Sequence, residues 1–75
     1  MFSRKLFSDR LKELRKSNNI RQKELGDIIG ISESAVSYLE KGKRSPSIEA
    51  VVAIADYFGV SLDYLVGRSD NPRQH

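Results

Sequence analysis

Three times before Leu62 a glycine is followed within five residues by a serine: Gly30 and Ser32, Gly42 and Ser47, Gly59 and Ser61. Glycine adopts the positive φ that closes a helix, and a serine side chain accepts the unpaired first-turn N–H groups of the next. These stop-and-start pairs divide the sequence into segments of two or three turns, each with apolar residues at three- and four-residue spacing. No apolar stretch approaches the ~20 residues a membrane span needs. The pattern predicts an all-α fold of five short helices.

The first predicted helix runs from Ser8, read as its N-cap, to Ser17, with Phe7, Leu11 and Leu14 on one side. The second covers Gln22 to Ile29 with Leu25, Ile28 and Ile29 as its apolar set, and the third covers Glu33 to Lys41. The fourth, after Ser47, carries Ile48, Val51, Val52, Ile54, Ala55 and Phe58, and a final turn or two contains Leu62 and Leu65. Residues 1–7 read as an N-terminal extension, 8–67 as one domain, and 68–75 as a flexible tail or the start of a linker. Hydrophobic residues make up 39% of the 75, which is enough for one small core.

Composition narrows the chemistry. There is no cysteine, so disulfides, thiol catalysis and thiolate-bound zinc are excluded. The single histidine is His75, the last residue, where neither a triad nor a metal site can be assembled around it. The glycines are scattered singly, with no phosphate-cradling loop. Neither an enzyme, nor a metal, nor a cofactor is expected. The balance of 13 Lys and Arg against 10 Asp and Glu, net +3, is mild, but its placement is uneven. Arg10, Arg15, Lys16, Arg21, Lys23, Lys41, Lys43 and Arg44 precede Ser47, whereas Ser47 to Gly67 holds no Lys or Arg and three acids, Glu49, Asp56 and Asp63. One region is fitted for a polyanion and another is not.

The second and third helices, joined through Gly30-Ile31-Ser32, have the layout of a helix-turn-helix, in which the second member offers its outer face to base edges. The third helix divides accordingly. Ala35, Val36 and Leu39 lie on one face, and Glu33, Ser34, Ser37, Tyr38 and Lys41 on the other. An ordered set of motifs then resembles the phage repressor and Cro family, the Xre type of helix-turn-helix protein. These are Leu11…Leu14-Arg15, Gln22-x-x-Leu25, Gly30-Ile31-Ser32, Val36-x-x-Leu39-Glu40-x-Gly42, Pro46 and Phe58-Gly59-Val60-Ser61-x-Asp63-x-Leu65, covering Leu11 to Gly67.

The resemblance implies a sequence-specific transcriptional regulator, most simply a repressor, that binds double-stranded operator DNA with Glu33–Lys41 in the major groove. It implies base reading by Glu33, Ser34, Ser37 and Tyr38. It implies phosphate contact at Gln22, Arg21, Lys23, Ser32, Lys41, Lys43 and Arg44, and a structural salt bridge between Arg15 and Glu40. Arg21 stands where a small capping residue is usual, with Glu24 placed to reach back to a backbone N–H, and Gly26 stands where alanine is usual. The reading face lacks Arg, Gln and Asn at its most typical base-contact positions, so the operator sequence does not follow from it. Each position also has a plainer reading: a first-turn acid for Glu33, a packing ring for Tyr38, solvated loop charges for Lys43 and Arg44.

One helix in one groove reads few base pairs, so a homodimer on a palindromic site is expected. Tyr57, Tyr64 and Val66 in the acidic, apolar C-terminal third are its expected surface. A bacterial or phage-encoded cytoplasmic protein is implied, with a regulatory protein partner as a further option. Two other classes compete: a protein-interaction module, and membrane-surface binding through Phe2-Ser3-Arg4-Lys5-Leu6-Phe7.

Overall fold

Serine side chains set the start of most helices. In the computed structural model, which describes residues 2–73, Ser3, Ser32, Ser47 and Ser61 accept from the backbone N–H of Leu6, Ala35, Ala50 and Tyr64 at 3.0–3.2 Å. They open α1 (Arg4–Ser17), α3 (Glu33–Glu40), α4 (Ile48–Phe58) and α5 (Leu62–Leu65). The exception, α2 (Gln22–Ile29), follows Arg21, whose side chain has no acceptor to offer. There Glu24 reaches back and accepts from the Arg21 N–H at 3.1 Å, as expected. Gly30 and Gly59 close α2 and α4 with φ of 81° and 68°. The five helices match the expected number, and no strand occurs among the described residues.

The core forms where the helices converge. Phe7 and Leu11 of α1, Leu25 of α2, Val36 of α3, Ile54 of α4 and Leu65 of α5 are fully buried. Each such side chain contributes roughly 1.5–3 kcal/mol of apolar burial. Two expected core positions turn outward: Ile48 is 69% exposed and Val52 is 39% exposed, because α4 packs on Ala50, Val51, Ile54 and Ala55. Ile28 of α2 is likewise exposed.

Both chain ends differ from the sequence reading. The first helix begins at Arg4 rather than Ser8, so residues 4–7 belong to it and are no free extension. Ser8 is no cap; it is buried, with Oγ 2.8 Å from the Arg4 carbonyl and 2.7 Å from that of Leu39 in α3. The reason is that Ser3 and Ser8 both fit a cap by type, and Phe7 fills the core only from within the helix. The Ser3 N–H donates to the Val66 carbonyl at 2.9 Å. Residues 68–73, expected as a loose tail, fold back: Arg10 donates to the carbonyls of Tyr64 and Ser69 and to Asp70, and the Ser61 N–H donates to the Pro72 carbonyl. His75 lies outside the described residues.

Candidate nucleic-acid interface

The turn into α3 passes so close over α2 that only a glycine fits beneath it. A Cβ on Gly26 would sit 2.5 Å from the Ile31 carbonyl oxygen. The Gly26 carbonyl in turn accepts from the N–H groups of Gly30 and Ile31 at 2.8 and 2.9 Å, which fixes the turn. From it α3 emerges with Ala35, Val36, Leu39 and Glu40 buried, while Glu33, Ser34, Tyr38 and Lys41 are exposed and Ser37 is half-buried. The expected strip is therefore one continuous outer face on a helix anchored from behind.

The anchor is ionic. Arg15 Nε donates to Glu40 Oε2 at 2.5 Å and its Nη2 donates to Oε1 at 3.0 Å, while Nη1 donates to the Ile20 carbonyl at 2.8 Å. The side chains are 13% and 2% exposed, so water takes little part. Glu40, through this hydrogen bond first, holds the Arg15 guanidinium above the usual arginine range against the opposing effect of burial. Gln22 joins the pair: its Nε2 donates to Glu40 Oε1 at 3.1 Å. One amide proton of Gln22 thus ties the start of α2 to the end of α3 and the other stays available. The sequence reading anticipated the Arg15–Glu40 pair but not this third member.

The remaining expected phosphate ligands ring the strip. Arg21, Lys23, Ser32, Lys41, Lys43 and Arg44 are all exposed. Lys23 is shared with Asp27 at 3.5 Å across an exposed pair, and the Ser32 hydroxyl oxygen already caps α3. The Arg44 guanidinium lies 5.6 Å from the centre of the Tyr38 ring, so the loop cation rests on the reading face. The Lys43 N–H donates to the Tyr38 carbonyl at 3.0 Å, which holds the loop against the helix end.

Arg10 departs from the expected basic cluster. Its guanidinium is committed to the tail and stacks over Tyr64, 4.1 Å from the ring centre. That contact half-buries Tyr64, and Val66 packs against the core, so only Tyr57 of the three expected dimer residues is freely exposed. Sequence reasoning missed the neighbouring apolar groove of about 390 Å³ lined by Phe2, Pro46, Ile48, Leu62 and Val66. Its only sequence signal was an apolar surplus on α4. No cluster of acidic or histidine side chains able to hold a metal exists among the described residues. No helix among them is long and apolar enough to cross a membrane.

Known proteins share this arrangement. The family described as helix-turn-helix matches residues 11–65. The HTH-type transcriptional regulator AnsR of Bacillus subtilis is 43% identical over 60 residues, covering 80% of this chain and 52% of the regulator. The cryptic phage CTXphi transcriptional repressor RstR of Vibrio cholerae is 32% identical over 65 residues, covering 87% and 59%. This chain thus spans little more than half the length of either regulator. Among solved structures, the P22 c2 repressor in complex with a synthetic operator superposes with a TM-score of 0.80 at 33% identity, covering 85% of this chain and 97% of that one. The chain belongs to the helix-turn-helix family, of the phage-repressor or Xre type.

Proposed function

We propose that the chain is a sequence-specific DNA-binding transcriptional regulator, a repressor in the simplest case, acting in the cytoplasm of a bacterium or from a phage genome. The observation that carries this reading is the polar outer strip of α3, braced from behind by Arg15, Glu40 and Gln22 and flanked by Lys41, Lys43 and Arg44, none of which has an ion-pair partner among the described residues. With α3 in the major groove, Glu33 accepts from a cytosine amino group, Tyr38 meets a thymine methyl, and Ser34 and Ser37 hydrogen-bond base edges. Gln22, Arg21, Lys23, Ser32 and the three cations after α3 take phosphates. The P22 c2 repressor, which carries the same domain, was solved on an operator, and this supports a double-stranded DNA partner.

Dimerisation on a two-fold site fits the dimensions. The domain measures 28 × 22 × 20 Å, small enough for two adjacent copies to occupy half-sites one DNA turn of ~34 Å apart. The groove bounded by Phe2, Ile48, Leu62 and Val66 supplies the apolar surface for that contact, with Tyr57 and Tyr64 outside its lining. Two copies with about four phosphate contacts each give a salt slope of about −7. Selection from a random duplex library tests the reading, run alongside a Lys43→Ala/Arg44→Ala variant. A palindromic consensus that the variant retains at lower affinity supports it. Failure of the wild type to enrich any sequence refutes it.

A further inference from the structure

The N-terminal half of α1 is tied to the last turn of α3. Ser8 Oγ lies within hydrogen-bond distance of both the Arg4 and Leu39 carbonyls, and a Cβ on Gly42 would come within 3.3 Å of it. Between these turns opens a polar cleft of about 560 Å³, lined by Arg4, Lys5, Ser8, Asp9, Lys41 and the edge of Glu40. Its charge is unbalanced. Glu40 is taken by Arg15 and Gln22, and Asp9 is shared with Lys5 at 3.1 Å in an exposed pair. Arg4 and Lys41 have no ion-pair partner among the described residues. An exposed pair such as Lys5–Asp9 is worth at most about 1 kcal/mol, so Lys5 is free to turn to a stronger anion.

We propose that Arg4, Lys5 and Lys41 form a phosphodiester-binding cleft that grips the duplex backbone beyond the end of α3. The inference rests on the reading of α3 as the groove-inserted helix. The N-terminal residues of such a helix meet base edges, so its C-terminal end faces outward to the sugar–phosphate wall. Lys41 belongs both to the α3 strip and to the cleft, which makes the two surfaces continuous. The Ser8 contacts fix the backbone at the start of α1 against the end of α3, so the exposed Arg4 and Lys5 side chains reach toward that wall from a set position. An anionic lipid surface is the poorer ligand. Phe7 is fully buried and the Phe2 ring packs on it at 6.1 Å, so the segment offers a membrane only the part-exposed Phe2 and Leu6, at 40% and 38%.

The test is the salt dependence of duplex affinity for the full chain, measured by fluorescence anisotropy. The wild type is compared with Arg4→Ala/Lys5→Ala, the charge-keeping Arg4→Lys/Lys5→Arg, and an Arg73→Ala control, an exposed cation outside the cleft in the segment that folds back onto Ser61. Loss of two phosphate contacts per copy flattens the slope by about 1.8 per copy and weakens binding at least roughly tenfold at moderate salt. The charge-keeping variant and the control retain the wild-type slope, and all four proteins melt alike because these side chains are exposed. A wild-type slope in the alanine pair overturns the cleft while leaving the role of α3 intact. Absence of duplex affinity in the wild type overturns both. Binding to phosphatidylserine vesicles that the alanine pair loses, with its duplex slope unchanged, assigns the cleft to lipid and also overturns the proposal.

Discussion

Replacing Glu40 by alanine removes the acceptor from three donors at once: Arg15 Nε, Arg15 Nη2 and Gln22 Nε2. Only the bond from Arg15 Nη1 to the Ile20 carbonyl survives, and the guanidinium is left 13% exposed with no counter-charge beside it. Breaking a buried pair from one side costs about 3–5 kcal/mol, because the remaining charge stays desolvated. A chain of this length has a total stability of about 4–11 kcal/mol. At about 4–8 °C per kcal/mol, even the lower figure lowers the melting temperature by about 12 °C or more. Thermal unfolding followed by far-ultraviolet circular dichroism measures this directly. The double variant Arg15→Met/Glu40→Leu, which removes both charges and fills the space, recovers much of the loss. Since Glu40 raises the Arg15 pKa, the guanidinium stays charged through the usual arginine range, and its contribution is lost only as pH rises through the raised value. A Glu40→Ala melt within about 3 °C of wild type, well under one kcal/mol, refutes the reasoning.

Other expectations follow from single contacts. Gly26→Ala gains up to about 1 kcal/mol of helix propensity but drives a methyl to 2.5 Å from the Ile31 carbonyl, an overpacking cost of about 1–3 kcal/mol. The melting temperature falls and duplex binding weakens with it; a rise would mean the turn widens freely. Arg10→Ala cuts the hydrogen bonds to the Tyr64 and Ser69 carbonyls, a loss of about 1.5–3 kcal/mol for charge-assisted bonds in a site 12% exposed. Hydrogen exchange then speeds up at the Ser61 amide, which donates to Pro72, and unchanged protection there would show that the tail holds without Arg10. Leu25→Ala, at a fully buried position, costs about 2–5 kcal/mol and leaves a partly unfolded population visible in the same melt.

How much of this was legible beforehand depends on how local each determinant is. Caps and stops are local, so Ser32, Ser47, Ser61, Gly30 and Gly59 gave the helix boundaries around them correctly. The α3 strip was equally readable, because a single helix decides which face Glu33, Ser34, Tyr38 and Lys41 share. The first helix start was misread because Ser3 and Ser8 are both competent caps and only long-range packing of Phe7 decides between them. The Arg10 clasp joins residues more than fifty positions apart, and two of its three hydrogen bonds go to backbone carbonyls, which carry no residue type. The outward turn of Val52 was readable, because it shares a face of α4 with Glu49 and Asp56, whereas Ile48 sits at the first position of that helix, where only the packing of neighbours decides.

The measurement that bears most directly on the central claim is backbone amide shift mapping of the isotope-labelled chain, titrated with its selected duplex at low ionic strength. The account predicts that the largest changes gather at Gln22, Lys23, Ser32 to Tyr38 and Lys41 to Arg44, with Asp56 on the outer side of α4 unmoved. Amides of Glu33, Ser34, Ser37 and Tyr38 that stay in place under saturating duplex would contradict it.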